Sequence, residues 1–125
     1  HRYLRAMPRK KAIAYYRSAV TNPDAIAEQR DSAREFAEKY NIDIIHEETD
    51  EGVSGLSTDR PGLKNIFWDW ILNDDVPPFD YVLIYDVSRW GRFQDSRPIA
   101  LYEWLCGLRN KEVIYISTFS MSFLQ

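Results

Sequence analysis

The stretch from Tyr81 to Arg92, YVLIYDVSRWGR, constrains the fold more than any other part of the chain. It opens as an unbroken apolar run, which suits a strand buried on both faces of a parallel sheet. The chain is expected to leave the sheet through Ser88, and Arg89 and Arg92 follow, with Gly91 between them. Helical geometry would bring two arginines at that spacing to one side. Ligands of open α/β sheets bind beyond the carboxyl ends of the strands, and a planar guanidinium matches a phosphate or a carboxylate. The pair reads either as an anion clamp or as a solvated arginine pair at a helix start. Other strand ends have to decide between the two.

The remaining elements follow from periodicity and punctuation. Lys11 to Arg17 reads as the first strand, with Tyr15, Arg17 and Ala19 on one face and Tyr16 and Ser18 on the other. Thr21-Asn22-Pro23 starts a helix in which Ile26, Ala33, Phe36, Ala37 and Tyr40 recur at helical spacing, and Gln29 falls on the same inward face. Ile42 to Glu47 is a short second strand. A polar loop from Asp50 to Gly62 carries Gly52, Gly55 and Gly62 and delivers Arg60 to the next helix start. Free backbone N–H groups there would reinforce an anion site. That helix uses Leu63, Ile66, Phe67, Trp70 and Ile71 and is stopped by Pro77-Pro78. After the third strand, Asp95 is a plausible cap for a further helix. Its Leu101, Trp104, Leu105 and Leu108 line one face, widened by Ile99, Tyr102 and Cys106, so it is expected to be well buried. The fourth strand centres on Val113 to Ile116. Strands alternating with helices predict an α/β fold: a mostly parallel sheet of four to five strands with helices on both faces, in flavodoxin-like layering.

Composition narrows the function. At 125 residues the chain is one domain's worth, and 45% hydrophobic content excludes disorder. A formal net charge of −3 argues against a free-standing nucleic-acid binder, so DNA affinity should come from a local patch or a further segment. The single cysteine, Cys106, fits a reducing cytoplasmic setting and reads as a core residue. His1 and His46 are too few for a metal cage. The chain has no apolar run long enough to span a membrane. Residues 1–10 read as a tag or disordered tail, with His1 not a natural start and Met7 a possible one. Residues 11–125 form the domain.

Arg17, Arg60, Arg89 and Arg92 all stand at or near the exits of successive elements. Converging at one sheet edge, they would surround a single phosphate. A metal-free phosphodiester-cutting site needs such fixed cations to meet the charge that develops on the transition-state oxygens. Arginine cannot serve as the general base, so a separate nucleophile is required.

With these residues in place, the sequence resembles the catalytic domain of the serine recombinases, the resolvase/invertase family and its large integrase relatives. The family's tyrosine-x-arginine-x-serine motif reads Tyr15-Tyr16-Arg17-Ser18-Ala19, and its following glutamine matches Gln29. The glycine-rich loop reads Asp50-Glu-Gly-Val-Ser-Gly55 and Asp59-Arg-Pro-Gly-Leu63, and the arginine corner reads Arg89-Trp-Gly-Arg92. The resemblance covers about residues 11 to 119. It implies a resolvase-like fold and DNA cleavage and rejoining through a serine ester to the 5′-phosphate, with Arg17, Arg60, Arg89 and Arg92 on the scissile phosphate. It implies no metal or nucleotide cofactor, and self-association of the full-length protein as dimers and tetramers on DNA. The long helix and DNA-binding domain of such proteins are not visible in the chain. Two positions depart from the pattern: Ser88 stands where an aspartate is frequent, and Ala19 stands where the nucleophilic serine belongs. Ala19 reads as a deliberate serine-to-alanine change, as a sign that Ser18 serves instead, or as the mark of a naturally inactive relative.

Overall fold

The computed structural model describes residues 9–55, 57, 59–91 and 96–119. The described chain runs β1 (Lys10–Ser18), α1 (Pro23–Lys39), β2 (Ile42–Glu51) and α2 (Pro61–Asn65), which continues as a π-helical segment over Ile66–Ile71. Then come β3 (Tyr81–Ile84), the single turn α3 (Val87–Trp90), α4 (Arg97–Leu108) and β4 (Glu112–Tyr115), followed by a 3-10 turn at Ile116–Thr118. The sheet has four strands in the order β2-β1-β3-β4, all parallel.

Strand alternation sends β1 side chains into two cores. Ile13 and Tyr15 join Leu63, Ile66, Phe67, Val82, Ile84, Trp90, Ile99 and Cys106 on one face. Ala12, Ala14 and Tyr16 join Ile26, Ala33, Phe36, Ala37, Leu83 and Ile114 on the other. One face is thus covered by α2, α3 and α4, the other by α1. The chain leaves β1 toward β2 on one side and reaches β3 on the other. The order therefore reverses between β1 and β3, so the switch point, where sheets of this kind form their ligand crevice, lies at the carboxyl ends of these two strands.

Local chemistry accounts for the element ends. Asn22 caps α1, its side chain accepting from the Asp24 and Ala25 N–H groups, with Pro23 in the first turn. Asn41 and Asn110, at φ 60, close the turns into β2 and β4, a left-handed conformation that asparagine tolerates.

Several expectations need correction. β1 runs one residue beyond the expected strand at each end, Lys10–Ser18, and Arg9 just before it pairs with Asp43 at 2.6 Å. β2 is not short: it continues to Glu51 because β1 offers it parallel partners through Ser18, with one register shift beside Ala12/Ile13. β3 stops at Ile84, before Ser88. α4 is not buried on the face expected. Its Leu101, Trp104 and Leu108 are 51%, 60% and 61% exposed, and Ile99 and Cys106 carry the buried side. The helix is apolar nearly all round, so its pattern gave no direction. The Asp95 cap lies outside the described residues.

Candidate active site

The crevice between β1 and β3 collects three of the four arginines, Arg17, Arg60 and Arg89. Arg92 lies outside the described residues. Arg17, the penultimate residue of β1, is 6% exposed. Its Nε donates to the Arg89 carbonyl at 3.1 Å, Nη1 to the Val53 carbonyl at 2.8 Å and Nη2 to the Ser88 carbonyl at 2.5 Å. A strand-end arginine paired with a carboxylate would look different, because these acceptors are all neutral. Burial, then the nearby positive charge of Arg60, pulls the Arg17 pKa below its ordinary value. A crevice that penalises its own cations gains by admitting an anion.

Arg60 is 2% exposed and immediately precedes α2. Its Nη1 donates to the Trp90 carbonyl at 3.0 Å and Nη2 to the Arg89 carbonyl at 2.7 Å, so it grips the main chain of the β3–α3 corner. Nε and Nη2 also donate to the Tyr15 hydroxyl oxygen at 3.3 and 3.1 Å. Behind it stands Asp50, 3% exposed, which accepts the Tyr15 hydroxyl at 2.7 Å. Asp50 further accepts the backbone N–H groups of Gly62 at 2.8 Å and Leu63 at 3.0 Å. The anion site expected at the head of this helix is therefore filled by the protein's own carboxylate. Burial, above all, raises the Tyr15 pKa well beyond the ordinary phenol, and Asp50 adds to the effect through its hydrogen bond.

Arg89 sits in α3, the turn capped by Asp86, whose Oδ1 accepts the Ser88 N–H at 2.9 Å as well as the Ser88 hydroxyl. Arg89 Nη1 donates to the Arg17 carbonyl at 3.3 Å. Among the described residues its Nε has no hydrogen-bond partner, and only an ion pair with the Asp86 carboxylate at 3.7 Å faces it. A buried charged donor without an acceptor is costly, and an incoming oxyanion would relieve it.

Gln29 is 2% exposed and reaches back from α1 to the end of β1. Its Oε1 accepts the Arg17 N–H at 3.2 Å and its Nε2 donates to the Arg17 carbonyl at 2.9 Å. It braces the backbone from which Arg17 projects and does not enter the crevice. Ser18, the last residue of β1, is 3% exposed, has the strand parity of Tyr16, and donates its hydroxyl to the Val20 carbonyl. Ala19 lies past the strand and is exposed.

Sequence reasoning passed over Asp50 and Gly55. In the sequence pattern Asp50 opens a polar loop, whereas in the fold it is the penultimate residue of β2. A Cβ on Gly55 would stand 3.1 Å from Arg17 Nη2, so this glycine leaves room for that guanidinium. Both lie in the Asp-x-Gly-x-Ser-Gly loop, which was the available signal.

No curated protein sequence matches the chain significantly. Among solved structures, the N-terminal catalytic domain of TP901-1 integrase matches with a TM-score of 0.74 and 27% identity, over 92% of this chain and 88% of that one. The first open reading frame of transposon ISC1904 from Sulfolobus solfataricus P2 matches with a TM-score of 0.65 and 26% identity, over 89% and 70%. A resolvase family site-specific recombinase from Streptococcus pneumoniae shares the fold, with a TM-score of 0.73 at 18% identity, over 93% and 81%. The family model for the resolvase N-terminal domain matches residues 12–120. With the arginine-lined crevice on these elements, the chain belongs to the resolvase N-terminal domain family, the catalytic domains of serine recombinases.

Proposed function

We propose that the crevice binds the scissile phosphate of DNA and that the full-length protein, assembled as dimers and tetramers on paired sites, cuts and rejoins strands through a serine ester. The observation that carries the reading is the buried Arg89 Nε, which among the described residues has no hydrogen-bond acceptor, set beside Arg17 and Arg60. Arg17, Arg60 and Arg89, with Arg92 from the same corner, would supply the positive charge. Gln29 would hold the Arg17 backbone in place. Neither a metal nor a nucleotide is required by this chemistry, since the phosphodiester energy is retained in the serine ester.

As it stands, the chain is proposed to bind without cleaving. Ala19 occupies the nucleophile position, and Ser18 is directed by strand parity toward α1 with its hydroxyl already engaged by Val20. Ala19→Ser is expected to raise strand cleavage by on the order of 10⁴-fold or more, which is the scale of loss when a nucleophile is removed. The assay is nicking of a supercoiled plasmid bearing the DNA that flanks the gene, with the 5′-phosphoserine adduct identified by mass spectrometry. Robust nicking by the unaltered chain, abolished by Ser18→Ala, would assign the nucleophile to Ser18 instead. A second reading, a naturally non-catalytic relative that binds DNA or a recombinase partner, is favoured by the same Ala19. It predicts that Ala19→Ser binds DNA as before and stays inert.

A further inference from the structure

Among the described residues the Arg89 guanidinium makes one hydrogen bond, from Nη1 to the Arg17 carbonyl at 3.3 Å. It is also held by an aromatic face: its guanidinium carbon lies 5.8 Å from the centre of the Tyr85 ring. Tyr85 follows β3 directly. By strand parity it stands on the α1 side of the sheet, like Tyr81 and Leu83 before it. Its carbonyl accepts the Ser117 N–H at 2.9 Å, which continues the pairing of β3 with β4 past the strands and fixes the base of the ring. Asp86 then caps α3, and that turn brings Arg89 back over the ring. A carboxylate in contact would also orient Arg89, but it would cancel the charge that an incoming anion needs. An aromatic face attracts the cation through its quadrupole and leaves the in-plane N–H groups free to donate. The carboxylate of Asp86 is occupied elsewhere: its Oδ1, 3.7 Å from Arg89 Nε, accepts both the N–H and the hydroxyl of Ser88.

We infer that Tyr85 is a positioning residue of the phosphate site, whose ring face holds the Arg89 guanidinium without neutralising it. Stacked in this way, Arg89 gives up side-chain freedom before an anion arrives, so less is lost on binding. This inference rests on the phosphate-clamp reading above and adds a residue that acts through Arg89. The contact is made by the ring face, and the hydroxyl has no part in it. Phenylalanine should therefore serve at position 85, whereas an aliphatic side chain of comparable bulk should not.

The test compares the parent chain with Tyr85→Phe, with Tyr85→Leu, and with a chain carrying pentafluorophenylalanine at position 85, whose ring keeps its shape but loses its negative face. Inorganic phosphate is the probe. Two quantities are read by nuclear magnetic resonance: the ring-current shift of the Arg89 Nε proton without phosphate, and the phosphate Kd from the arginine Nε signals. Thermal melts and circular dichroism establish that each variant is folded. Tyr85→Phe is expected to keep the ring-current shift and to hold the phosphate Kd within about twofold of the parent. Tyr85→Leu is expected to abolish the shift and to weaken phosphate binding about threefold to tenfold, and the fluorinated ring to weaken it as much. Equal phosphate affinity in Tyr85→Leu and Tyr85→Phe would overturn the inference. So would a fluorinated chain that binds phosphate as well as Tyr85→Phe does, which would make the ring a spacer only. If phosphate moves no arginine signal in the parent, the clamp reading fails and takes the inference with it; the ring-current shift, read without phosphate, keeps that failure distinct from a failure of the stacking. Should Tyr85→Leu fail to fold, the fluorinated chain, which differs from Tyr85→Phe only in the charge of its ring face, decides alone.

Discussion

A methyl group added at Gly62 would stand 2.9 Å from the Thr49 carbonyl oxygen and 3.1 Å from the Asp50 carboxyl carbon. Glycine is needed there because the helix start must come close enough for its N–H groups to reach Asp50. Gly62→Ala meets backbone on one side and a buried carboxylate on the other. A loss of about 1–3 kcal/mol is expected, measured by urea unfolding. Gly55→Ala meets only the end of the Arg17 side chain, 3.1 Å away, which has room to adjust. Its stability should change by less than about 1 kcal/mol, while phosphate affinity, followed by titration, should fall as the Arg17 guanidinium shifts. Glycines at these positions could be read from the sequence as a loop motif. That one seats a helix on a carboxylate and the other makes room for an arginine could not, because both roles depend on residues far away in the chain.

At the scale of elements, α4 shows how periodicity can mislead. Its residues at Leu101, Trp104 and Leu108 satisfy the helical template as well as Ile99, Tyr102 and Cys106 do, yet the two sets lie on opposite sides. Only the second set meets the sheet-side core, with Tyr102 5.3 Å from Phe67 and 5.1 Å from Trp90 between ring centres. Trp104→Lys should therefore cost no more than about 0.5 kcal/mol, whereas Ile99→Ala should cost about 2–5 kcal/mol, both read from urea midpoints. The reverse ranking would mean that α4 is rotated. The π-helical segment is a comparable case. Ile66, Phe67, Trp70 and Ile71 were legible as apolar positions, but the widened turn, marked by the Leu72 N–H donating to the Phe67 carbonyl at 2.8 Å, was not. It leaves Trp68 71% exposed and sets Trp70 against His46, ring centres 4.3 Å apart.

For the whole molecule, burial of ionisable groups sets the behaviour in alkali. Burial, chiefly, raises Tyr15 and Tyr16 above the ordinary phenol and pushes the Cys106 thiol up to about 12. The folded chain thus keeps protons that the unfolded chain releases from about pH 9 upward, starting with the thiol. Stability contributed by these groups is complete below that pH and declines as the pH climbs toward 12. Each fully buried group steepens the decline by up to about 1.4 kcal/mol per pH unit. Urea midpoints should accordingly hold steady near neutrality and drop above pH 9. Cys106 should resist alkylation by iodoacetamide in the native state and react once the chain unfolds.

The alternation of apolar strands with amphipathic helices was enough, by itself, to specify a parallel α/β sheet, since each pattern can bury its apolar side in only a few ways. The same reasoning put arginines at the strand exits, because a charge at the end of a buried strand needs a reason to be there. Tertiary structure alone decided the rest. The order β2-β1-β3-β4 brings the end of β1 beside the end of β3, so that Arg17, Arg60 and the carbonyls of Ser88, Arg89 and Trp90 meet. It also decided that Asp50 fills the anion site at the head of α2, and which side of α4 faces water. These outcomes depend on contacts between residues dozens of positions apart, and periodicity along the chain carries no information about which of several apolar faces will find a partner.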